Sequence, residues 1–98
     1  MTKIPKYDPT RWKDATSYSR DEATGHKIPR TYEYKTESLK IIVTRLGILP
    51  GWYLLCYDIG INNHRQLQVG EDLDAAMREA INRVRGMLRL LLSEIPEA

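Results

Sequence analysis

The last quarter of the chain, EDLDAAMREAINRVRGMLRLLLSEI, has the spacing of one long amphipathic helix. At about 100° per residue, its apolar side chains fall on one side. Acidic residues crowd the first turn, where the helix macrodipole favours them, and Pro96 ends the pattern. We therefore expect a helix from about residue 72 to residue 95. Its apolar stripe consists of Leu73, Ala76, Met77, Ala80, Val84, Met87, Leu88 and Leu91.

Two details of this helix call for more than one small sheet as a packing partner. Ile81, Leu92 and Ile95 widen the apolar stripe beyond the surface that such a sheet covers. In mid-helix, Gly86 costs about 1 kcal/mol relative to alanine, so we expect another element to pack closely there. The wide stripe also allows a homodimer.

Before Gly70, runs rich in β-branched and aromatic residues alternate with short turns. The runs TYEYK, SLKIIVTRL, WYLLCYDI and HRQLQV predict a small antiparallel sheet of three or four strands. Alternation gives this sheet an apolar inner face for the C-terminal helix, so we expect a single α+β domain over residues 30–98. The predicted inner face consists of Leu39, Ile41, Val43, Trp52, Leu54, Cys56, Leu67 and Val69.

The segment DIGINNHRQ, residues 58–66, is predicted to be the tip of a hairpin. Asparagine tolerates left-handed backbone, so a four-residue loop at 60–63 accounts for Asn62 and Asn63. This loop sets Asp58 opposite Arg65 as a charge pair. The same register sets Cys56 opposite Leu67 and Leu54 opposite Val69, and the preceding hairpin sets Val43 opposite Leu54 and Arg45 opposite Trp52.

Residues 1–29 form a basic, aromatic segment broken by proline and glycine. Residues 1–35 hold eight Lys/Arg and five Asp/Glu, a net charge of +3, whereas residues 36–98 hold seven and eight, a net charge of −1. Asp8 followed by Pro9 is a helix start signal, but few apolar residues follow it. We therefore expect an irregular or short-helical N-terminal arm beside the α+β domain.

Catalysis needs convergent reactive groups, and the sequence does not display them. Cys56 falls on the predicted apolar face, where a cysteine is usually an inert small hydrophobe. His26, His64 and the single cysteine lack the spacing of a zinc site, and the six glycines do not form a phosphate-binding loop. We therefore expect no enzyme activity, no metal and no cofactor.

The cysteine content, the N-terminal sequence and the longest apolar run indicate the cellular compartment. One cysteine forms no internal disulfide, and MTKIPKYDPT does not resemble a signal peptide. The longest apolar run, LRLLL, is far shorter than the ~20 residues that span a bilayer. We therefore expect a cytoplasmic protein that does not enter a membrane.

The outer face of the predicted sheet is the first candidate binding surface. It is more apolar than a face that packs on nothing, and tyrosine is typical of interface cores. An equally weighted alternative is that Trp12 and Tyr18 of the arm fold back and cover it. The predicted partner-binding residues are Tyr53, Leu55, Tyr57, Gln66 and Gln68, beside Lys40, Ile42 and Thr44, with Tyr32 and Tyr34 as further candidates.

A basic stripe on the helix is the second candidate binding surface. Arg78, Asn82, Arg85 and Arg89 are spaced four, three and four residues apart, so they share one narrow band of the helix. A stripe of this kind is most often a solvated face. Arginine nevertheless suits carboxylate and phosphate partners, because its planar fork binds them bidentately.

Binding of single-stranded nucleic acid is the alternative function. Tyrosines on a sheet face stack bases, at about 1–3 kcal/mol each. The net charge of +2 gives little counterion release, so this alternative ranks below a protein partner. The arm would supply cations to the phosphates from Lys3, Lys6, Arg11, Lys13, Arg20, Lys27 and Arg30.

The order of a short helix, strands and a long helix resembles double-stranded-RNA-binding domains in topology alone. Those domains begin the last helix with lysines, whereas this chain has GEDLDAAM there. We therefore expect a non-enzymatic binding module, a small regulator or inhibitor that docks on a protein. In general style it resembles the accessory regulators of phages and plasmids.

Overall fold

The computed structural model describes residues 4–19, 25, 28–47 and 49–98. Within these residues, five strands form one antiparallel sheet in chain order, and one helix packs against β3, β4 and β5. Short 3₁₀ turns lie at Pro9–Arg11 and Tyr57–Ile59. The strands are β1 (Trp12–Asp14), β2 (Thr31–Lys35), β3 (Lys40–Leu46), β4 (Leu49–Cys56) and β5 (Ile61–Leu67), and the helix is α1 (Leu73–Ser93).

The α+β class is confirmed, but the sheet has five strands, and the prediction of three or four is too low. The additional strand, β1, comes from the N-terminal segment, where Trp12 lies opposite Tyr34 of β2 and is buried. The free edge of β2 offers backbone partners, and pairing there buries the Trp12 ring. The start signal at Asp8 is real but yields only a three-residue 3₁₀ turn, in which the Asp8 carboxylate accepts a hydrogen bond from the Thr10 amide at 3.0 Å.

The inner face of the sheet is largely as predicted, apart from two tyrosines. Tyr32 lies opposite Val43 and Tyr34 lies opposite Ile41, so both rings share the helix side of the sheet. The prediction that Tyr32 and Tyr34 lie on the outer face is therefore wrong. The alternative that Trp12 covers the outer face is also wrong, because Trp12 belongs to the core. The core combines Ile41, Val43, Trp52, Leu54, Cys56 and Leu67 of the sheet with Ala76, Met77, Ala80 and Val84 of α1, and Leu39 and Val69 pack against it.

The register of the first hairpin is confirmed in part, and that of the second is wrong. Val43 lies opposite Leu54 as expected, but the register shifts between Thr44 and Leu46, where the pairing of Arg45 with Trp52 was predicted. In the second hairpin, Leu54 lies opposite Arg65, because the chain reverses through the 3₁₀ turn Tyr57–Ile59 and Gly60, whose φ is +81°. The two asparagines therefore lie within β5 rather than in the turn. Asp58 does not pair with Arg65, and its carboxylate accepts a hydrogen bond from the Lys40 amide at 2.8 Å.

Helix α1 matches its predicted bounds closely. It begins after Asp72, whose carboxylate accepts a hydrogen bond from the Ala75 amide at 3.1 Å. Its last fully buried residue is Val84, and in the second half of the helix Met87 packs at the margin of the core. No atom of another element lies within 4 Å of a Cβ placed on Gly86, so the expected close packing there is not found. No helix in the described part of the chain is long and apolar enough to cross a bilayer.

Candidate docking groove

An open groove of about 810 Å³ lies beside the second half of α1. One wall is the N-terminal segment at residues 4–7, another is the β2–β3 turn at residues 36–39, and the third is α1 from residue 81 to residue 88. We call this surface the helix groove. It is lined by Ile4, Pro5, Lys6, Tyr7, Arg11, Tyr34, Thr36, Glu37, Ser38, Leu39, Ile41, Ile81, Asn82, Val84, Arg85 and Leu88.

Tyr7 holds the N-terminal wall of the groove in place. Its ring stacks on Tyr34 with centroids 5.9 Å apart, and its hydroxyl accepts a hydrogen bond from the Trp12 indole at 2.9 Å. The guanidinium of Arg78 on α1 also lies over the Tyr7 ring, 5.7 Å from its centroid. The segment is thereby attached to both the sheet and α1, although it lies about seventy residues from the helix in the sequence.

The rim of the helix groove is basic. Lys6, Arg11 and Arg85 line it, against a single acidic residue, Glu37. Arg11 is fixed by a hydrogen bond to the Lys35 carbonyl at 2.6 Å, and its guanidinium lies 5.2 Å from the Tyr34 ring centroid. A groove with an apolar floor and a cationic rim suits a ligand that carries both apolar groups and carboxylates.

Exposed apolar side chains continue past the groove to the end of α1 and just beyond it. Leu88, at the groove, has 38% of its surface exposed, and further along Leu92 has 68% and Ile95 has 65% exposed. Leu90, on another side of the helix, is also exposed. A row of exposed large apolar side chains at helical spacing marks an interaction surface more often than a solvated one.

The predicted helix stripe and part of the predicted basic arm meet at this groove. Asn82 and Arg85 line it, Arg78 caps Tyr7 at one end, and Arg89 is exposed one turn beyond Arg85. From the arm, Lys6 and Arg11 reach the same rim. The sequence alone predicts the stripe and the arm as separate surfaces with different partners.

The predicted outer-face residues lie on the opposite side of the sheet and form no continuous surface with the groove. Tyr53 lies between Thr44 and Gln66, is half-buried, and donates a hydrogen bond to the Pro50 carbonyl at 3.3 Å. Its ring meets the edge of His64, with centroids 6.5 Å apart.

Two other members of the predicted outer face differ from the expectation. Leu55 lies opposite Ile42 but is only 6% exposed, so it offers little surface to a partner. Tyr57 is 60% exposed, but it belongs to the 3₁₀ turn after β4 and not to a strand. Gln66 and Gln68 are exposed. The accessible part of this face is therefore more polar than its sequence indicated.

Two further arm cations, Lys13 and Arg30, lie apart from the groove rim. Lys13 lies on β1 opposite Glu33, and Arg30 lies over the Tyr18 ring and donates a hydrogen bond to the Ser17 carbonyl at 3.0 Å. Predicted contacts of Lys3, Arg20 and Lys27 fall outside the described residues.

The reactive side chains of the described residues do not converge. Cys56 is fully buried, and its burial, followed by the charge of Asp58, raises the pKa of its thiol, which keeps the weakly nucleophilic neutral form. Burial likewise raises the pKa of Tyr32, and a hydrogen bond to Asp14 raises the pKa of Tyr18. In the part of the chain that the structure describes, no three His, Cys, Asp or Glu side chains are grouped to hold a metal ion.

Comparisons with protein-family models, with curated proteins and with solved structures found no match to this chain.

Proposed function

We propose that this chain is a non-enzymatic binding module, a small regulator or inhibitor, that docks on a protein through the helix groove. The single observation that carries the proposal is the apolar groove with a basic rim beside the second half of α1, where Leu88 and Leu92 are exposed. Ile81 and Leu88 provide apolar contact area at the groove wall, and Arg85 stands at its rim. Interfaces commonly combine such apolar anchors with arginine at the edge.

The charge of the rim defines the chemistry of the partner. Three cations face one carboxylate at the groove, so the complementary segment carries carboxylates beside its apolar side chains. Arg85 is exposed and has no hydrogen bond among the described residues, which leaves its guanidinium available for a bidentate contact. The outer sheet face, with Tyr53, Gln66 and Gln68, is a second and more polar candidate surface for the same protein.

A protein partner accounts for the groove better than nucleic acid does. Base stacking needs open aromatic faces, but Tyr7 and Tyr34 stack on each other and are further covered by Arg78 and Arg11. The large apolar side chains of the rest of the lining, among them Ile4, Leu39, Ile81 and Leu88, are aliphatic. Aliphatic side chains favour a partner that buries apolar side chains of its own.

Site-specific cross-linking tests this proposal. Photoreactive p-benzoylphenylalanine replaces Leu88 in the groove wall, and in a matched control it replaces Leu90, which is exposed on another side of the same helix. We expect irradiation in an extract of the native cells to give a protein adduct from position 88 and not from position 90. Excess unlabelled wild-type chain should suppress an adduct to a different protein, whereas the Leu88→Asp variant should not.

Two outcomes would contradict the proposal. One is equal labelling from positions 88 and 90, which indicates non-specific contact. The other is binding of a 20-nucleotide poly(U) or poly(dT) probe that Arg85→Glu weakens, with no protein adduct at position 88. Adduct mapping by mass spectrometry should place the cross-link in a partner segment that has acidic and apolar side chains.

A further inference from the structure

We propose that the occupant of the helix groove is the end of α1 from a second copy of this chain, in a two-fold dimer with antiparallel helix ends. This inference rests on the proposed function, because it names the partner of the same groove. In a two-fold interface, each chain supplies one groove and one helix end, so each contact is made twice.

The first supporting observation is that the C-terminal part of α1 is less buried than its N-terminal part. The last fully buried residue of α1 is Val84, and the helix continues through residues 85–93 for about 13 Å at 1.5 Å per residue. Over this length only Met87 still packs against the core, whereas Leu88 and Leu92 are exposed, and Ile95 follows. An exposed apolar row at a helix end marks a surface where a partner packs.

The second observation is the distribution of charge along that end. Between residues 83 and 89 the charged side chains are all arginines, and between residues 90 and 98 they are Glu94 and Glu97. An antiparallel pair of helix ends therefore sets the acids of one copy beside Arg85 and Arg89 of the other. A parallel pair would set like charges together, at a cost in free energy.

The third observation is that the two halves of the contact have matching chemistry. The groove offers Leu39, Ile81 and Leu88 with the cations of its rim, and the helix end offers Leu92 and Ile95 with two carboxylates. This is the combination of apolar groups and carboxylates that the groove charge requires. The helix ends at Ser93 and Pro96 follows shortly after it, so the entering end is short.

Charge reversal combined with mass measurement tests the dimer. Light scattering after size exclusion should give twice the chain mass of 11.4 kDa for the wild type. The variant Arg85→Glu/Arg89→Glu and the variant Glu94→Arg/Glu97→Arg should each dissociate at least tenfold more readily, because both then face like charges. An equimolar mixture of the two should recover a dimer, and so should one chain that carries all four substitutions.

Matched controls separate the groove from general charge effects. Lys13→Glu/Lys40→Glu makes the same change in net charge away from the groove and should leave the dimer intact. Leu88→Asp should give a monomer, whereas Leu90→Asp should not. Far-UV circular dichroism verifies that each variant retains its helix, and all substituted side chains are exposed, so folding is expected to be preserved.

The outcomes separate this inference from the proposed function. A wild-type monomer at 100 µM, with an adduct from position 88 to another protein, would overturn the dimer and leave the docking proposal standing. A monomer with no protein adduct would overturn both. A dimer that survives Leu88→Asp and the arginine reversals would place the interface elsewhere and overturn the inference.

Discussion

The guanidinium of Arg78 lies 5.7 Å from the centre of the Tyr7 ring, and this contact joins the N-terminal segment to the C-terminal helix. Tyr7 in turn stacks on Tyr34 and accepts the Trp12 indole hydrogen bond. One side chain thus connects the helix, β1 and β2. The N-terminal wall of the helix groove depends on it.

Substitution of Tyr7 should separate the contribution of its ring from that of its hydroxyl. Tyr7→Phe keeps the stacking and leaves the Trp12 indole without its partner, which should cost about 1 kcal/mol of unfolding free energy. Tyr7→Ala also removes the ring and should cost about 2–3 kcal/mol. Urea denaturation measures both. Equal losses for the two variants would show that the ring contributes nothing.

Replacement of Gly86 by alanine should stabilise the protein by about 0.5–1 kcal/mol. Gly86 lies in regular helix, and nothing lies within 4 Å of the added Cβ, so the gain in helix propensity is not opposed by a clash. Gly60 is the matched control, since its surroundings are equally open but its φ is +81°. Gly60→Ala should destabilise by about 1–2 kcal/mol. Thermal or urea denaturation that found both changes alike would contradict this explanation.

The N-cap at Asp72 should contribute measurably to the stability of α1. Asp72→Ala removes the acceptor for the Ala75 amide and should lower the free energy of unfolding by about 1 kcal/mol. Asp72→Asn keeps an acceptor and loses only the interaction of the charge with the helix dipole, so a loss of about 0.5 kcal/mol is expected. Urea midpoints test the order, and a larger loss for asparagine than for alanine would contradict it.

Alkaline pH should destabilise the protein partly through Cys56. Burial raises the pKa of the Cys56 thiol above its ordinary value of 9.0. The unfolded chain loses this proton first, so as pH rises above about 9 the unfolded state binds fewer protons than the folded state and stability falls. Urea denaturation between pH 7 and pH 10 should show a flatter decline for Cys56→Ala than for the wild type. An unchanged slope would mean that the thiol is not its source.

The two predicted binding tyrosines should behave differently when truncated. Tyr53 is half-buried and bonded to the Pro50 carbonyl, so Tyr53→Ala should cost about 1–2 kcal/mol of unfolding free energy. Tyr57 is largely exposed, and Tyr57→Ala should change stability by less than about 0.5 kcal/mol. Chemical denaturation of each single variant distinguishes them. A large loss for Tyr57 alone would place that ring in a packing role.

The second hairpin shows how local turn chemistry misled the sequence prediction. Asn62 and Asn63 have the residue types of a turn, yet the chain reverses earlier, at the 3₁₀ turn that ends in Gly60. Irregular pairing between Leu54 and Cys56 then absorbs the extra residues of β5. Asparagine tolerates many conformations, so its presence did not specify which of two nearby positions would turn.

Strand β1 is too short to be predicted from the alternation of apolar and polar residues. Three residues carry no detectable alternation, and Trp12 is fixed by its pairing with Tyr34 and by Tyr7. The helix groove depends on the same contacts. In the sequence, the helix groove was indicated only by the widening of the apolar helix stripe at Ile81, Leu92 and Ile95. This widening predicted that α1 packs on more than the sheet, but not where the additional contact lies.

The sequence by itself determined the long helix, its approximate bounds, and the inner face of β3 and β4, because these follow from the spacing of apolar residues along a single element. Only the tertiary structure decided that the N-terminal segment joins the sheet and walls a groove beside α1. That choice depends on contacts such as Arg78 with Tyr7, between residues far apart in the chain. Their geometry is set by how complete elements pack, and no local pattern encodes it.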